Sequence, residues 1–189
     1  MISQLHFNHN VGSIDAFSTE RGAADCFSPY SEFNCCGYTG DNPAHVDDCL
    51  KRLRTLLGTE HIVTTRQTHS TNVAVIDSVP PTPPTDVDAL VTRLPNVAIG
   101  VFTADCVPIL LCEPKSGLIA AVHAGGIVAN AIETMVDEGA DRCGIEAVWG
   151  HQSANAALRW AMKWWLNLPN EPSLSTTSYG ETQSPVKPI

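Results

Sequence analysis

The stretch VAIGVFTADCVPILLCEPKSGLIAAVHAGG, residues Val97–Gly126, decides the fold. Two nearly continuous apolar runs flank the turn Glu113–Gly117 (EPKSG), the pattern of strands covered on both faces and joined as an antiparallel hairpin. Strands are expected at Val97–Phe102, Pro108–Cys112 and Leu118–His123. If Cys112 pairs with Leu118, His123 falls opposite Val107 and therefore beside Cys106, since neighbouring strands lie about 4.8 Å apart. A slip of one residue would change the facing of every side chain.

Working outward, NVAVID at Asn72–Asp77 reads as a further strand, and DVDALVT at Asp86–Thr92 as a short acidic turn ahead of one. Asn42–Leu57 (NPAHVDDCLKRLRTLL) places Val46, Cys49, Leu50, Leu53, Leu56 and Leu57 at helical spacing and is followed by Gly58, a natural stop. Ile127–Glu138 reads as a second helix ended by Gly139. A third is expected from a Ser153 cap through Leu168, with Ala157, Leu158, Ala161, Trp165 and Leu168 on its apolar face. VPPTPPT at Val79–Thr85 is a proline-rich loop. Strands and helices interleave, so the class is α/β, a mixed sheet with flanking helices. One domain is expected over residues 1–168, atypical after 148. Residues 169–189 are dominated by Ser, Thr, Pro and Glu, with almost nothing to bury, and are expected to be a disordered tail.

The 189 residues carry 11 Lys plus Arg against 20 Asp plus Glu, a net charge of −9. That balance argues against a phosphate-backbone surface, so no nucleic-acid partner is expected. No apolar run approaches the roughly 18 residues of a membrane span, and Met1–Asn10 lacks signal-peptide character; a cytoplasmic location with no membrane partner is expected. Seven cysteines are an odd number in a chain large enough not to need staples, which favours free thiols over a disulfide framework.

His123 and Cys106 form a candidate pair with two chemistries. A thiolate and a neutral imidazole are zinc or copper ligands, and a cysteine beside a histidine is also an activated nucleophile. A buried cysteine near a hydrogen-bonded histidine is the plainer alternative. His69 adds a third group: it lies in the polar cluster Arg66–Asn72 (RQTHSTN), opening onto a strand. A His/Cys/His set leaves one position open, as in catalytic zinc sites. Asp105, next to Cys106, is a candidate acid/base or imidazole-orienting group. Asp86 and Asp88 invite a metal reading, but an acidic turn is commoner. No phosphate-binding glycine loop and no nucleophile elbow occurs.

RQTHSTNV, DVDALVT, GVFTADCVPILL and GLIAAVHAGG, in this order, resemble the bacterial laccase-domain family, also called multicopper polyphenol oxidases and now purine nucleoside phosphorylases. FSTERG at Phe17–Gly22 and PYSEFNCCGYTGDN at Pro29–Asn42 resemble its N-terminal segments. The resemblance implies a fold similar to cytotoxic-necrotizing-factor-type cysteine hydrolases and a metal site of His69, Cys106 and His123. It implies phosphorolysis of adenosine, inosine and methylthioadenosine, and adenosine deamination, with zinc as the metal and purine nucleosides and phosphate as partners. Asn34, Arg66 and Gln67 match polar positions of the family motifs and are candidate substrate or phosphate contacts. Copper-dependent oxidation of phenolic compounds and editing of peptidoglycan precursors are further activities associated with the family.

The chain departs from the family in two places. HAGG at His123–Gly126 stands where family members usually read HAGWRG, so an arginine suited to anions is absent. After Val148 the residues do not align with the family's ending. An inactive metal-binding remnant is therefore a third reading, beside the purine enzyme and the copper oxidase. The seven histidines show no paired HxH pattern, which weighs against a centre of several coppers.

Overall fold

A computed structural model describes residues 2–7, 14–20, 30, 32–104, 106–124, 126–149 and 158–164, with 2–3 and 158–164 as backbone alone. Its strands are β1 (Ile2–Leu5), β2 (Ile14–Thr19), β3 (His61–Thr64), β4 (Val73–Ile76), β5 (Ala89–Thr92), β6 (Val97–Thr103), β7 (Val107–Glu113), β8 (Leu118–Ala124), β9 (Glu146–Trp149) and β10 (Leu158–Trp164); its α-helices are α1 (Pro43–Leu57) and α2 (Val128–Asp137). The α/β class and the flanking helices are present. The strands, however, divide into two mixed sheets instead of one, in the orders β1-β2-β10-β6-β3 and β4-β5-β8-β7-β9.

The period-2 geometry of a strand explains how the two sheets and two helices stack. Along β6, Val97, Ile99 and Val101 meet Leu90, Leu110, Ile119 and Ala121 in a core between the sheets. Ala98, on the opposite face of β6, packs with Cys49, Leu53 and Leu57 of α1. Along β8, Ile119 and Ala121 face the inter-sheet core, whereas Leu118, Ala120 and Val122 pack with Ile127, Ala131 and Met135 under α2. Both central strands are covered twice, which is why their sequences read as unbroken apolar runs.

Helix α1 forms where its sequence predicts. Asn42 caps it by accepting from the Ala44 N–H, proline occupies the first turn, and Gly58 ends it in the left-handed region at φ 57°. The expected helix over Ser153–Leu168 is overturned within its described part. Residues 158–164 are strand β10, lying antiparallel between β2 and β6, with Ala161 opposite both Phe17 and Gly100. Leu158-Arg159-Trp160-Ala161-Met162-Lys163-Trp164 also alternates with period 2, and pairing on both sides satisfies backbone groups that a helix would leave exposed along β2 and β6. Residues 153–157 and 165–168 of that expectation, and the tail 169–189, lie outside the described residues.

The β7–β8 hairpin also corrects its predicted register. Glu113 pairs with Leu118, and His123 stands opposite Pro108 instead of Val107. The turn shortens to Pro114–Gly117 because Glu113 organises it. Its carbonyl accepts from the Gly117 N–H at 3.0 Å, and its buried carboxylate accepts from the N–H groups of Lys115 (3.2 Å) and Ser116 (2.8 Å). Gly117 takes φ 70°, open to glycine at little cost. Strand β9 pairs only as far as Ile109, so the missing N–H of Pro108 interrupts no ladder on that side.

Burial acts to raise the Glu113 carboxyl, but the Ser116 and Lys115 groups outweigh it and hold it below the usual range. A depressed folded value means stabilisation present above the unfolded pKa and lost as pH falls through the folded one. The urea midpoint of the wild type is therefore expected to fall between about pH 5 and pH 3, and that of Glu113→Gln to fall less; parallel slopes would remove Glu113 from the account. Among the described cysteines, Cys49 and Cys112 are buried free thiols, Cys106 is half-buried and Cys143 exposed; Cys35 and Cys36 are buried. Among the described residues no helix is long and apolar enough to cross a membrane.

Candidate metal centre

The centre is assembled by strand register. Strand β5 pairs antiparallel with β8, Ala89 opposite Val122, so the next step of the ladder sets Asp88 against His123. The Asp88 carbonyl accepts the His123 backbone N–H at 2.8 Å, and Asp88 Oδ1 lies 2.8 Å from His123 Nδ1. Both side chains are buried, at 6% exposure for His123 and 1% for Asp88. An imidazole held at Nδ1 by a carboxylate presents Nε2 to a metal, which is the usual outer arrangement of metal-bound histidine.

The same carboxylate shapes the loop that carries His69. Asp88 Oδ2 accepts from the N–H groups of Thr68 (3.1 Å) and Ser70 (2.8 Å) and from Ser70 Oγ (2.9 Å), and Oδ1 accepts from the His69 N–H at 3.1 Å. Burial acts to raise the Asp88 carboxyl; the bonds from His123, Thr68 and Ser70 outweigh it and keep it below the usual range. Wrapping three successive N–H groups around one carboxylate bends the chain sharply. His69 accordingly sits at φ 60°, a left-handed conformation that costs a non-glycine residue about 1–2 kcal/mol. Asp86 supports the far side of the loop, its carbonyl accepting from Asn72 Nδ2 at 2.8 Å and from Ser70 Oγ at 3.1 Å.

Cys106 enters from the residues just before β7, its Sγ 3.8 Å from His69 Nε2. The His69 and His123 rings meet edge to face with centroids 4.8 Å apart. One ligand atom from each of His69, Cys106 and His123 lies within 4.8 Å of the others. Tetrahedral zinc with bonds of about 2.0–2.3 Å brings such atoms to roughly 3.4–3.7 Å of one another, so small side-chain movements close the site. Two imidazoles and a thiolate suit zinc or copper by ligand chemistry. The gradient from buried His123 through half-buried Cys106 to exposed His69 leaves one side of the site facing solvent, where a fourth ligand can enter.

The other expected site residues are placed differently. Asp105 lies outside the described residues. Asn34 is fully buried; its Nδ2 donates to Asp41 Oδ2 at 2.7 Å and its Oδ1 accepts from the Cys36 N–H at 2.9 Å, within its own loop. Gln67 donates through Nε2 to the Phe102 carbonyl (2.7 Å) and accepts the Phe102 N–H at Oε1 (2.6 Å), fastening the His69 loop to the end of β6. Arg66 is exposed and lines a cleft with Tyr38 and Phe102. Sequence reasoning missed Asp88, treating it as a member of an acidic turn. The available signal was its place immediately before an apolar strand able to pair with the strand ending in His123.

Comparison with known proteins gives the family. The family model described as multi-copper polyphenol oxidoreductase laccase matches residues 15–155. The adenosine deaminase RL5 of an unknown prokaryotic organism is 41% identical over 79% of this chain and 63% of its own length. The purine nucleoside phosphorylase Rv2149c of Mycobacterium tuberculosis is 36% identical over 72% of this chain and 58% of its own. The chain thus spans about three-fifths of the length of these relatives. The crystal structure of the Bacillus licheniformis protein YfiH superposes with a TM-score of 0.66 at 27% identity, covering 72% of this chain and 58% of that one. A match across most of the chain, taking in the strands and loops that bring two histidines and a cysteine together, means that this protein belongs to the multi-copper polyphenol oxidoreductase laccase family.

Proposed function

We propose that the protein is a metal-dependent enzyme of purine nucleosides, using a zinc site of His69, Cys106 and His123 for phosphorolysis of adenosine, inosine and methylthioadenosine and for deamination of adenosine. The observation that carries this reading is the convergence of the three ligand atoms within 4.8 Å at a solvent-facing edge, in a chain whose relatives are named for these reactions. Bound there, zinc supplies a Lewis acid for a water or phosphate oxygen.

The chain's own residues supply orientation and charge. Asp88 accepts the His123 Nδ1 proton and keeps Nε2 available as a donor atom. Arg66, exposed three residues before His69, offers a planar cation for phosphate where the family's arginine after HAG is absent. Asp105, adjacent to Cys106 in sequence, is the proposed proton acceptor. Asn34 and Gln67 serve the reading by holding the surrounding loops. The expected likeness to cytotoxic-necrotizing-factor-type cysteine hydrolases, and a cytoplasmic setting with small-molecule partners, belong to the same proposal.

Mass-spectrometric product analysis of zinc-reconstituted protein with adenosine, with and without phosphate, tests it. Adenine formed only with phosphate indicates phosphorolysis, and inosine formed without it indicates deamination; Cys106→Ala is expected to form neither. Metal bound through Cys106 with no nucleoside product would overturn the reading. The family description favours copper-dependent polyphenol oxidation as the second reading, tested by phenolic-dye oxidation after copper loading. Failure there as well would leave the metal-binding remnant or a peptidoglycan-precursor hydrolase.

A further inference from the structure

We infer that the cleft between Tyr38, the residues after β3 and the proline-rich loop is a subsite for the purine base, with Thr65 and Phe102 as its recognition residues; this rests on the nucleoside reading above. The cleft has a volume of about 320 Å³, within the range of small-molecule sites. Tyr38 and Phe102 form one aromatic wall, their rings edge to face at 6.0 Å, and both ends of the Phe102 peptide are held by the Gln67 amide. A wall fixed in this way offers a flat ligand a stacking surface at low ordering cost.

The second observation is independent of the wall. Thr65 lines the cleft and is fully buried, yet its hydroxyl has no hydrogen-bond partner among the described residues. Buried polar groups are rarely left so, and such a group calls for an explanation, a bound water or ligand among them. A threonine hydroxyl both donates and accepts. Its oxygen is covered in this structure; turned toward the cleft, it can answer a ring nitrogen, a 6-oxo group or a 6-amino group, the differences among the bases of adenosine and inosine.

The chain's geometry connects the cleft to the metal centre. Arg66 lines the cleft, and His69 follows it by three residues, so their Cα atoms are at most about 11 Å apart. A base held in the cleft must then direct its ribose along this short segment if cleft and ligand atoms are to act on one nucleoside.

The test is adenine binding to the metal-free protein by calorimetry, alongside steady-state kinetics of the zinc-loaded protein with adenosine, for wild type, Thr65→Val, Thr65→Ser and Phe102→Leu. Thr65→Val keeps the shape and removes the hydroxyl. It is expected to weaken adenine binding about tenfold, with the kinetic loss falling on KM more than on kcat and zinc content retained. Thr65→Ser is expected to recover most of that loss, and Phe102→Leu to weaken binding independently of Thr65. Adenine affinity within twofold of wild type in both Thr65→Val and Phe102→Leu overturns the inference, even where nucleosides are turned over. Adenine binding weakened by Thr65→Val in a protein that turns over no nucleoside supports the cleft and sinks the enzymatic reading. Neither binding nor turnover overturns both.

Discussion

Asp88→Ala is expected to lower stability and metal affinity together. The carboxylate accepts from three successive loop N–H groups, a serine hydroxyl and the His123 ring. Its loss strands these donors around a cavity with no acceptor. A buried donor left unpaired costs about 1–3 kcal/mol; part of the loop reaches water and the terms are not additive, so the whole is expected at about 3–5 kcal/mol. In a chain of this size that lowers the melting temperature by roughly 10 °C. Releasing His123 Nδ1 is expected to weaken zinc binding 10–100-fold. Asp88→Asn is expected to be nearly as damaging, because its amide turns a donor toward donors. Thermal unfolding with and without zinc, beside equilibrium dialysis, reads both effects. A variant melting within about 2 °C of wild type at full metal content would show that Asp88 does not organise the centre.

His69→Gly is expected to separate stability from metal binding. The N–H at position 69 still reaches Asp88 whatever the side chain, and φ 60° is open to glycine. The metal-free His69→Gly protein is expected to be more stable than His69→Ala by about 1 kcal/mol, since alanine keeps the strain and loses the ligand equally. Both variants are expected to lose metal affinity by more than the 10–100-fold typical of outer-shell changes. Such a pair of results would mean that strain at position 69 serves the imidazole's position as a ligand. Equal stability of the two metal-free variants would mean that the left-handed turn carries no cost.

Different parts of the molecule were legible to different depths. Helix α1 was readable almost to the residue because its cap, periodic face and terminal glycine all lie within a few residues of what they control. The β7–β8 hairpin was readable as a hairpin but not in register: the shift of one residue comes from the Glu113 side chain folding over its own turn, and composition does not report that. His123 still reaches Cys106 and His69 in space, by a route other than the pairing first expected. Over 158–164 two periodicities compete, one helical and one of two residues, and the open edges of β2 and β6 choose between them. The division of the strands into two sheets was hidden for a related reason. A strand covered on both faces has the same apolar sequence whether a helix or a second sheet lies against it.

By itself the sequence determined what depends on neighbours in the chain: the class, α1 and its limits and the central apolar strands; it also offered His69, Cys106 and His123 as candidate metal ligands. Only the tertiary structure decided which strands pair, that Asp88 faces His123 and gathers the His69 loop, and that Gln67 grips Phe102 while the Thr65 hydroxyl has no partner among the described residues. Caps, turns and periodicity act over a few residues and leave local marks. The destination of a buried hydrogen bond is set by which distant strand arrives in which register, and a shift of one residue reverses it.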